Sequence, residues 1–327
     1  MVAYYILKVH KANSVVTTLL RCLAVVDNFY LFASVCVPVF KTACDVTNIG
    51  DSPYCYYYVL SEPYFWTFAS CSQTAANWLI LLITIDRYIA ICHPFHPYKL
   101  TNSSRARLCA FVVICLAVLY NSPRLFEYDG TATSVIDLCT NKSRYIKNAT
   151  KMRRDGSYFI FYKVIAYFLF RAVGPIFTLF VLNLKLIQCV KEAQQRRVTL
   201  TRTIQQKVKS QRILTITLIG VVSASILLQL PNAAVRAALS AMFLMKVKLN
   251  QLKYAATFTN MLLVLNSAIN CAIYCLTGRQ FRKFLIKKCC GCTIKNKTTV
   301  VYRATFGHRR SGRALATVPL TRETTKV

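Results

Sequence analysis

Residues 72–94 read SQTAANWLILLITIDRYIAICHP and join a long apolar run to the charged triplet Asp86-Arg87-Tyr88. No charged residue lies between Glu62 and Asp86. That interval is longer than the roughly 20 apolar residues with which a helix crosses the hydrocarbon core of a bilayer. The stretch therefore predicts a membrane-spanning helix at about residues 61–91, which ends at the charged triplet.

Five other apolar segments lie at about residues 17–40, 107–123, 158–184, 213–239 and 255–276. Hydrophobic residues make up 55% of the chain, and its mean hydropathy is +0.40. A helix is the simplest structure in which a spanning segment satisfies its own backbone polar groups. The sequence therefore predicts an all-α membrane protein, with a membrane domain at residues 1–290 and a disordered tail at residues 291–327.

The basic residues indicate the orientation of the chain. There are 42 lysines and arginines against 11 acidic residues, a formal net charge of +31. A nucleic-acid-binding domain would carry such a charge on a soluble unit, but these charges lie between and after the apolar segments. With a cytoplasmic C-terminus, the inner segments hold 28 basic residues and the outer ones 11, which is the positive-inside pattern. We expect a multi-pass protein of the plasma membrane that contacts lipid and binds no nucleic acid.

Four motifs follow one another at the ends and centres of these segments. They are residues 23–27 (LAVVD), the triplet at 86–88, residues 266–274 (NSAINCAIY) and an amphipathic basic segment at 279–288. In this order they resemble the second, third and seventh helices and the surface-lying eighth helix of rhodopsin-like (class A) G-protein-coupled receptors. The resemblance covers about residues 8–290 and implies a seven-transmembrane bundle of which six spans are present.

Three further stretches resemble the FMRFamide-receptor-like branch of invertebrate neuropeptide receptors. They are residues 72–75 (SQTA), 120–127 (YNSPRLFE) and 266–276. This resemblance implies a peptide ligand and a heterotrimeric G protein as partners, and it implies no enzymatic activity. Hydroxyl groups in the tail could be phosphorylated and so recruit arrestin; the alternative is a solvated tail with no such role.

The resemblance assigns the coupling switch to a small set of residues. In this family the arginine of the triplet is held by its neighbouring acid and engages the G protein when the sixth helix moves outward. The corresponding residues here are Asp86, Arg87, Tyr88, Asn270 and Tyr274.

Three positions depart from the pattern of that family. Gln211 stands where some relatives carry an acid on the sixth helix, Asn183 replaces a fifth-helix tyrosine, and Cys271 replaces a proline. The restraint between the third and sixth helices is therefore expected to be polar rather than ionic.

An acid inside an apolar span is costly, so Asp27 is a candidate functional residue. The resemblance implies that it faces Asn266, Ser267 and Asn270, whose oxygen atoms could hold a sodium ion. Ala76 replaces the serine that the family places on its third helix. The alternative is an aspartate hydrogen-bonded to the two asparagines without an ion.

A candidate ligand pocket is suggested by polar residues within the apolar segments. Gln229, Asn232 and Arg236 recur at helical spacing and so share one face. The resemblance implies an outer cavity lined by Gln73, Arg171, Asn232, Arg236 and Asn260, with Gln229 in place of the usual tryptophan and Glu62 at its edge. The alternative is that the two arginines bond only backbone carbonyls or Glu62.

The sequence leaves the charge of the ligand open. Peptides ending in Arg-Phe-amide are cationic, yet the outer segments carry a net positive charge and the pocket adds arginines. Electrostatic steering favours a ligand with acidic groups. Glu62, Asp129 and Asp137 could nevertheless seat a cation.

Fifteen cysteines are present, most of them inside spans where they are expected to pack as small hydrophobic residues. The family joins its third helix to the second outer loop by a disulfide. Cys139 fits the loop position, and its expected partner is Cys55, with Cys44 as the alternative. Cys289, Cys290 and Cys292 suggest palmitoylation, because three thiols without a fourth ligand make a poor zinc site. Sequons at Asn141 and Asn148 lie in the same loop and predict glycosylation.

The rival interpretations are of two kinds. Apolar residues before Lys8 are too few to span a membrane, so the first helix of the family is expected to be largely absent. The alternatives to a signalling receptor are then a non-signalling isoform, a partner-trapping fragment or an incomplete gene model of a receptor. A transporter would show repeated halves or broken helices at matching positions, and none is evident.

Overall fold

The computed structural model describes residues 15–46, 53–93, 102–137, 142–195, 202–245 and 251–277. Within these ranges it leaves out the side chains of residues 45–46, 137, 142–144, 193–195, 202–214, 251, 253 and 271–277. The predicted amphipathic segment 279–288 and the tail lie outside the described residues, as do Cys139, Asn141, Cys289, Cys290 and Cys292.

Long helices dominate the architecture, with a short hairpin and several brief turns between them. In chain order the elements are α1 (Val15–Val46), α2 (Pro53–Cys92), α3 (Ser103–Asn121), a 3-10 turn (Ser122–Phe126), β1 (Tyr128–Asp137), β2 (Lys142–Ala149), α4 (Lys151–Arg154), α5 (Gly156–Tyr158), a π-helical segment (Phe159–Ala166), α6 (Tyr167–Phe170), α7 (Val173–Gln195), α8 (Arg202–Met245) and α9 (Gln251–Thr277).

Five helical stretches in the described part of the chain are long and apolar enough to cross a membrane. They are Val15–Cys44, Pro53–Cys92, Ser103–Phe126, Gly156–Glu192 and Thr215–Met245. The remaining predicted span, at 255–276, lies within α9. This mainly helical architecture agrees with the predicted class. The hairpin of β1 and β2 was not predicted.

The core forms where α1 packs against α2. Leu19, Leu23 and Leu79 are fully buried there. The same cluster continues to Leu179 on α7 and Ile226 on α8. Apolar side chains face lipid on the outside of such a bundle, so close packing rather than escape from water holds the helices together. The polar residues of the candidate site lie inside this packed ring.

The helical path is broken between α6 and α7, and the break is stabilised from α2. Pro175 has no N–H group, so the Arg171 carbonyl loses its normal helical donor. The Asn77 Nδ2 atom donates to that carbonyl at 3.4 Å, and the Trp78 Nε1 atom donates to the Phe170 carbonyl at 3.0 Å. The backbone also folds so closely here that a Cβ atom on Gly174 would overlap the Leu169 carbonyl oxygen.

The hairpin is an antiparallel pair in regular register from Ala132 opposite Lys147 to Asp137 opposite Lys142. The register shifts between Tyr128 and Ala132, where Gly130 has φ of 79°. That left-handed conformation favours glycine. Two contacts attach the hairpin to α2: the Tyr56 and Tyr145 rings lie 5.3 Å apart, and Lys147 pairs with Glu62.

Glu127 anchors the chain just before the hairpin. It is 5% exposed and accepts hydrogen bonds from Arg153, from Lys163 Nζ at 2.7 Å and from Tyr158 OH at 2.9 Å. Burial by itself would raise the pKa of this carboxyl, but the bonds and charges of its partners outweigh burial and hold the pKa below its ordinary value.

Two disulfides are present in the described part of the chain. Cys44 is joined to Cys55, with Cα atoms 5.6 Å apart. The predicted pairing of Cys139 with Cys55 is therefore wrong, and so is the alternative pairing with Cys44, because the end of α1 and the start of α2 lie side by side and bring these two cysteines together. Cys92 is joined to Cys189 with Cα atoms 5.9 Å apart, a disulfide that was not predicted.

Replacing Gly174 by Ala is expected to destabilise the protein by about 1–3 kcal/mol, because the backbone must move to accommodate the new methyl group. The measurement is thermal unfolding of the detergent-purified protein. Gly220→Ala is the matched control: nothing lies within 4 Å of its Cβ position, so a gain of about 0.5–1 kcal/mol from helix propensity is expected. Equal effects of the two changes would contradict the close approach at Gly174.

Replacing Glu127 by Gln is expected to cost on the order of 3 kcal/mol, because Arg153 and Lys163 would lose a buried counter-ion. Since the folded-state pKa of Glu127 is lowered, the stabilisation is present above the ordinary pKa near 4.5 and is lost as pH falls below it. The wild-type protein should thus lose stability in acid while the variant changes less. Asp129→Asn, at an exposed acid nearby, is the control and should leave the unfolding temperature at pH 7 nearly unchanged.

Candidate functional site

Five predicted pocket residues surround one cavity of about 320 Å³ at the end of the bundle that carries the hairpin. They are Gln73 on α2, Arg171 at the break after α6, Asn232 and Arg236 on α8, and Asn260 on α9. Helical spacing explains the pair on α8, since positions four apart lie on the same face. These five residues come from three long helices and from the broken one.

The amide groups in this cavity are tied together by hydrogen bonds. Asn232 Nδ2 donates to Thr259 Oγ1 at 3.2 Å and to Asn260 Oδ1 at 3.0 Å, which links α8 to α9. Asn232 Oδ1 accepts from Arg236 Nε at 3.3 Å. On the opposite wall, Gln73 Oε1 accepts from Arg171 Nη2 at 2.5 Å. These bonds fix the direction in which each polar side chain faces the cavity.

Two guanidinium groups share an aromatic ring. The Arg171 and Arg236 guanidinium carbons lie 5.7 Å and 5.6 Å from the centroid of Tyr167. An aromatic face attracts cations at such distances. Tyr167 thus holds the two cations near one another although they belong to different helices.

Several lining residues were not predicted from the sequence. Arg124 lies in the 3-10 turn and donates to Ser70 Oγ at 3.1 Å. Its place in the cavity depends on the tight turn after Pro123, which helical spacing does not predict. The other unpredicted polar or aromatic lining residues are Tyr30, Trp66, Ser70 and Thr259.

Glu62 does not line the cavity, which corrects its assignment to the pocket. Its Oε2 atom accepts from Lys147 Nζ at 2.7 Å, and its Oε1 atom accepts from Trp66 Nε1 at 3.2 Å. The hairpin therefore supplies the partner of this acid. Glu62 is connected to the site through Trp66, which forms part of the cavity wall.

Gln229 lies one turn deeper on α8 and is 6% exposed. It lines a much smaller cavity of about 10 Å³ together with Gln73, Arg171 and Asn232. Gln229 therefore forms the floor below the main cavity rather than part of its open wall.

A second polar group lies within the bundle, around Asp27. Asn270 Nδ2 donates to Asp27 Oδ2 at 3.0 Å, and Asn266 and Ser267 are buried nearby on α9. Among the described residues, no donor reaches the buried atoms Asp27 Oδ1 and Asn270 Oδ1. Two acceptor oxygens without donors fit a hard cation, which prefers oxygen ligands.

The charged triplet lies at the other end of α2 from the cavity. Arg87 donates to Asp86 Oδ2 through Nη2 at 2.6 Å and Nε at 3.1 Å, and Asp86 is buried. Tyr88 contacts His93, with their rings 5.5 Å apart. The Cys92–Cys189 disulfide ties this end of α2 to α7.

Three further positions discussed for the switch lie on α7, α8 and α9. On α7, Asn183 donates to Ser223 on α8 at 3.0 Å, which is a polar link between these helices. Tyr274 lies in α9 and Gln211 in α8, but their side chains are outside the described set.

The predicted glycosylation residue Asn148 lies on β2, where it exchanges hydrogen bonds with Thr131 and Thr133 across the hairpin.

Comparisons with known proteins agree with one another on the class of protein that this chain resembles. A family model described as a serpentine type 7TM GPCR chemoreceptor Srw matches residues 11–293. The FMRFamide receptor of Drosophila melanogaster is 25% identical over 84% of this chain and 47% of its own length. The sex peptide receptor of the same organism is 29% identical over 64% of this chain and 51% of its own. Sex peptide receptor-related protein 2 of Caenorhabditis elegans is 26% identical over 64% of this chain and 49% of its own length. The chain thus spans about half the length of the curated relatives it matches.

Proposed function

Since the chain belongs to the serpentine seven-transmembrane G-protein-coupled receptor family, we propose that it binds a neuropeptide and transmits that binding to a heterotrimeric G protein. The observation that carries the proposal is the position of two polar centres on the single helix α2. Gln73 lines the cavity, and Arg87 lies 14 residues further on, about 20 Å along a helix. One rigid element thus connects a ligand-sized cavity to the coupling triplet.

We place the hairpin end outside the cell and the Arg87 end in the cytoplasm of a plasma-membrane protein. The distribution of basic residues supports this orientation, because the loops and tail on the Arg87 side hold most of them. The hairpin would then be the second outer loop, and glycosylation at Asn141 and Asn148 would occur on the outer side. Palmitoylation at Cys289, Cys290 and Cys292 and arrestin binding to the tail would occur on the inner side.

Ligand binding acts through α8, which meets the cavity and borders α7. A ligand that bonds Arg236 competes for the atoms that now bond Asn232 and, through it, Asn260. Without its bond from Arg236, the Asn232 amide is free to turn away from Asn260. Loss of the Asn232–Asn260 bond would loosen α8 from α9 and favour an outward position of α8. A ligand can shift this equilibrium only by its difference in affinity for the two positions. Release of Arg87 from Asp86 would accompany that shift and present the guanidinium to the G protein.

Asp27, Asn266, Ser267 and Asn270 would hold a sodium ion as an allosteric modulator. When bound, the ion would supply the positive charge that the buried Asp27 carboxylate lacks. Asn270 would keep the carboxylate oriented through its 3.0 Å hydrogen bond.

The peptide-receptor proposal is tested by screening amidated synthetic neuropeptides on cells that express the full chain, with nucleotide exchange on the G protein as the readout. For the peptide that activates, Arg236→Gln should lower potency by about tenfold to a hundredfold, because a hydrogen-bonded charge is removed. Arg154→Gln removes an arginine from the exposed outer face and should leave potency unchanged. Unchanged potency in the Arg236 variant, at normal surface expression, would show that the cavity is not the ligand site.

The switch is tested without a ligand. Asp86→Asn removes the carboxylate that holds Arg87, so basal nucleotide exchange should rise, by about tenfold at most. Glu192→Gln is the control, since it removes an exposed acid from the same end of the bundle. If basal exchange rises equally in both variants, the effect is one of general surface charge and the role of the Arg87–Asp86 pair is refuted.

A further inference from the structure

We propose that the ligand anchors itself in the cavity through a carboxylate, which Arg171 and Arg236 bind with support from Arg124. This inference rests on the proposed function, because it names the chemical class of the peptide that the same cavity would take. The carboxylate is either the side chain of an aspartate or glutamate or the free C-terminus of the peptide.

The first argument is the charge of the cavity wall. Three arginines, Arg124, Arg171 and Arg236, line the cavity, and the described residues of its lining include no aspartate or glutamate. Arg124 and Arg236 both lie close enough to Arg171 to act on it electrostatically. Like charges gathered in a poorly solvated space repel one another strongly. An anion between them would turn this repulsion into attraction.

The second argument is that the acids near this end of the bundle are already bound. Glu62 is paired with Lys147, and Glu127 is paired with Arg153 and Lys163. Asp129 accepts from Thr131, and Asp155 accepts from the backbone at the start of α5. Among the acids whose side chains the structure describes at this end, none therefore supplies a carboxylate to the three arginines of the cavity.

The third argument is the state of Arg171. It is 8% exposed, and burying a charge is costly unless it is paired. A guanidinium group has five N–H donors, and the side-chain acceptor that Arg171 meets among the described residues is the uncharged Gln73 Oε1. The ring of Tyr167 offsets part of the cost of burying the Arg171 charge, but it cannot accept two parallel N–H hydrogen bonds as a carboxylate does. Donors thus remain for a planar, two-oxygen acceptor.

The geometry suits a carboxylate in particular. Arg171, which follows α6, and Arg236 on α8 lie 5.7 Å and 5.6 Å from the centroid of the Tyr167 ring. Both residues line the same cavity, so both offer donors to a ligand there. Arginine forks match the two oxygens of a carboxylate and bind it bidentately. A lysine or arginine side chain of a ligand would instead meet three cations and no counter-ion.

Four pools of synthetic nonapeptides test the proposal on cells that express the full chain. All pools share random aromatic and aliphatic positions and differ in one fixed residue and the C-terminus: glutamate with an amide, glutamine with a free acid, glutamine with an amide, and lysine with an amide. The readout is nucleotide exchange on the G protein. We expect a response to the glutamate pool or the free-acid pool, and which of the two responds identifies the source of the carboxylate.

The neutral glutamine-amide pool should be at least about tenfold less potent than the responding pool, as expected for the loss of a charged hydrogen bond. Arg236→Gln should remove this difference, and Arg236→Glu should transfer the response to the lysine pool. Arg154→Gln should preserve the preference of the wild type. Because Arg236 is less buried than Arg171, its variants keep the test valid even if an Arg171 variant does not fold.

The outcomes separate this inference from the proposed function. Equal responses to the acidic and neutral-amide pools, or a preference for lysine in the unmodified chain, would overturn the carboxylate anchor while leaving a peptide receptor. Silence towards all four pools, in a chain that reaches the cell surface, would count against peptide activation itself and against this inference with it.

Discussion

The site depends on the backbone break between Phe170 and Gly174, because that break points Arg171 into the bundle. A proline in a helix frees carbonyl groups that lipid cannot satisfy. Here α2 supplies the donors, through Asn77 and Trp78. The same helix carries Gln73, which bonds Arg171, and the triplet that ends at Tyr88. Hydrogen bonds to α2 therefore hold both the broken helix and the buried Arg171 in place. The length of α2 sets the distance from the cavity to the coupling end.

The outer part of the molecule is organised by charge in a similar way. Lys147 reaches from the hairpin to Glu62, and Glu62 in turn bonds Trp66 in the cavity wall. Glu127 gathers two basic side chains just before the hairpin begins. The acids of this end thus hold loops in place, whereas the arginines of the cavity face inward. This division of roles distinguishes structural ion pairs from the charges that can meet a ligand.

Much of the architecture could be predicted from the sequence, because apolar runs of spanning length leave the backbone few alternatives to helix. The shared face of Asn232 and Arg236 followed from the helical period alone.

The positions that were missed depend on contacts between distant parts of the chain. Glu62 was assigned to the pocket because its partner Lys147 lies 85 residues away on an unpredicted hairpin. The β-branched residues Thr131, Thr133, Val135 and Ile136 were the available signal for that hairpin. Arg124 was missed because a 3-10 turn, not a regular helix, sets its direction.

The π-helical segment Phe159–Ala166 immediately precedes α6, which begins at Tyr167 and is followed by Arg171. A π turn holds more residues than an α turn. Each residue of an α-helix advances the chain by about 100° around its axis. Removing one residue to convert this segment to a regular α-helix would therefore rotate the following side chains around the helix axis by a similar angle. Deleting or inserting one residue there would therefore turn the Arg171 side chain around the helix axis, with little change in the length of the helix. The length of this segment is thus one determinant of the direction in which the Arg171 side chain faces the ligand.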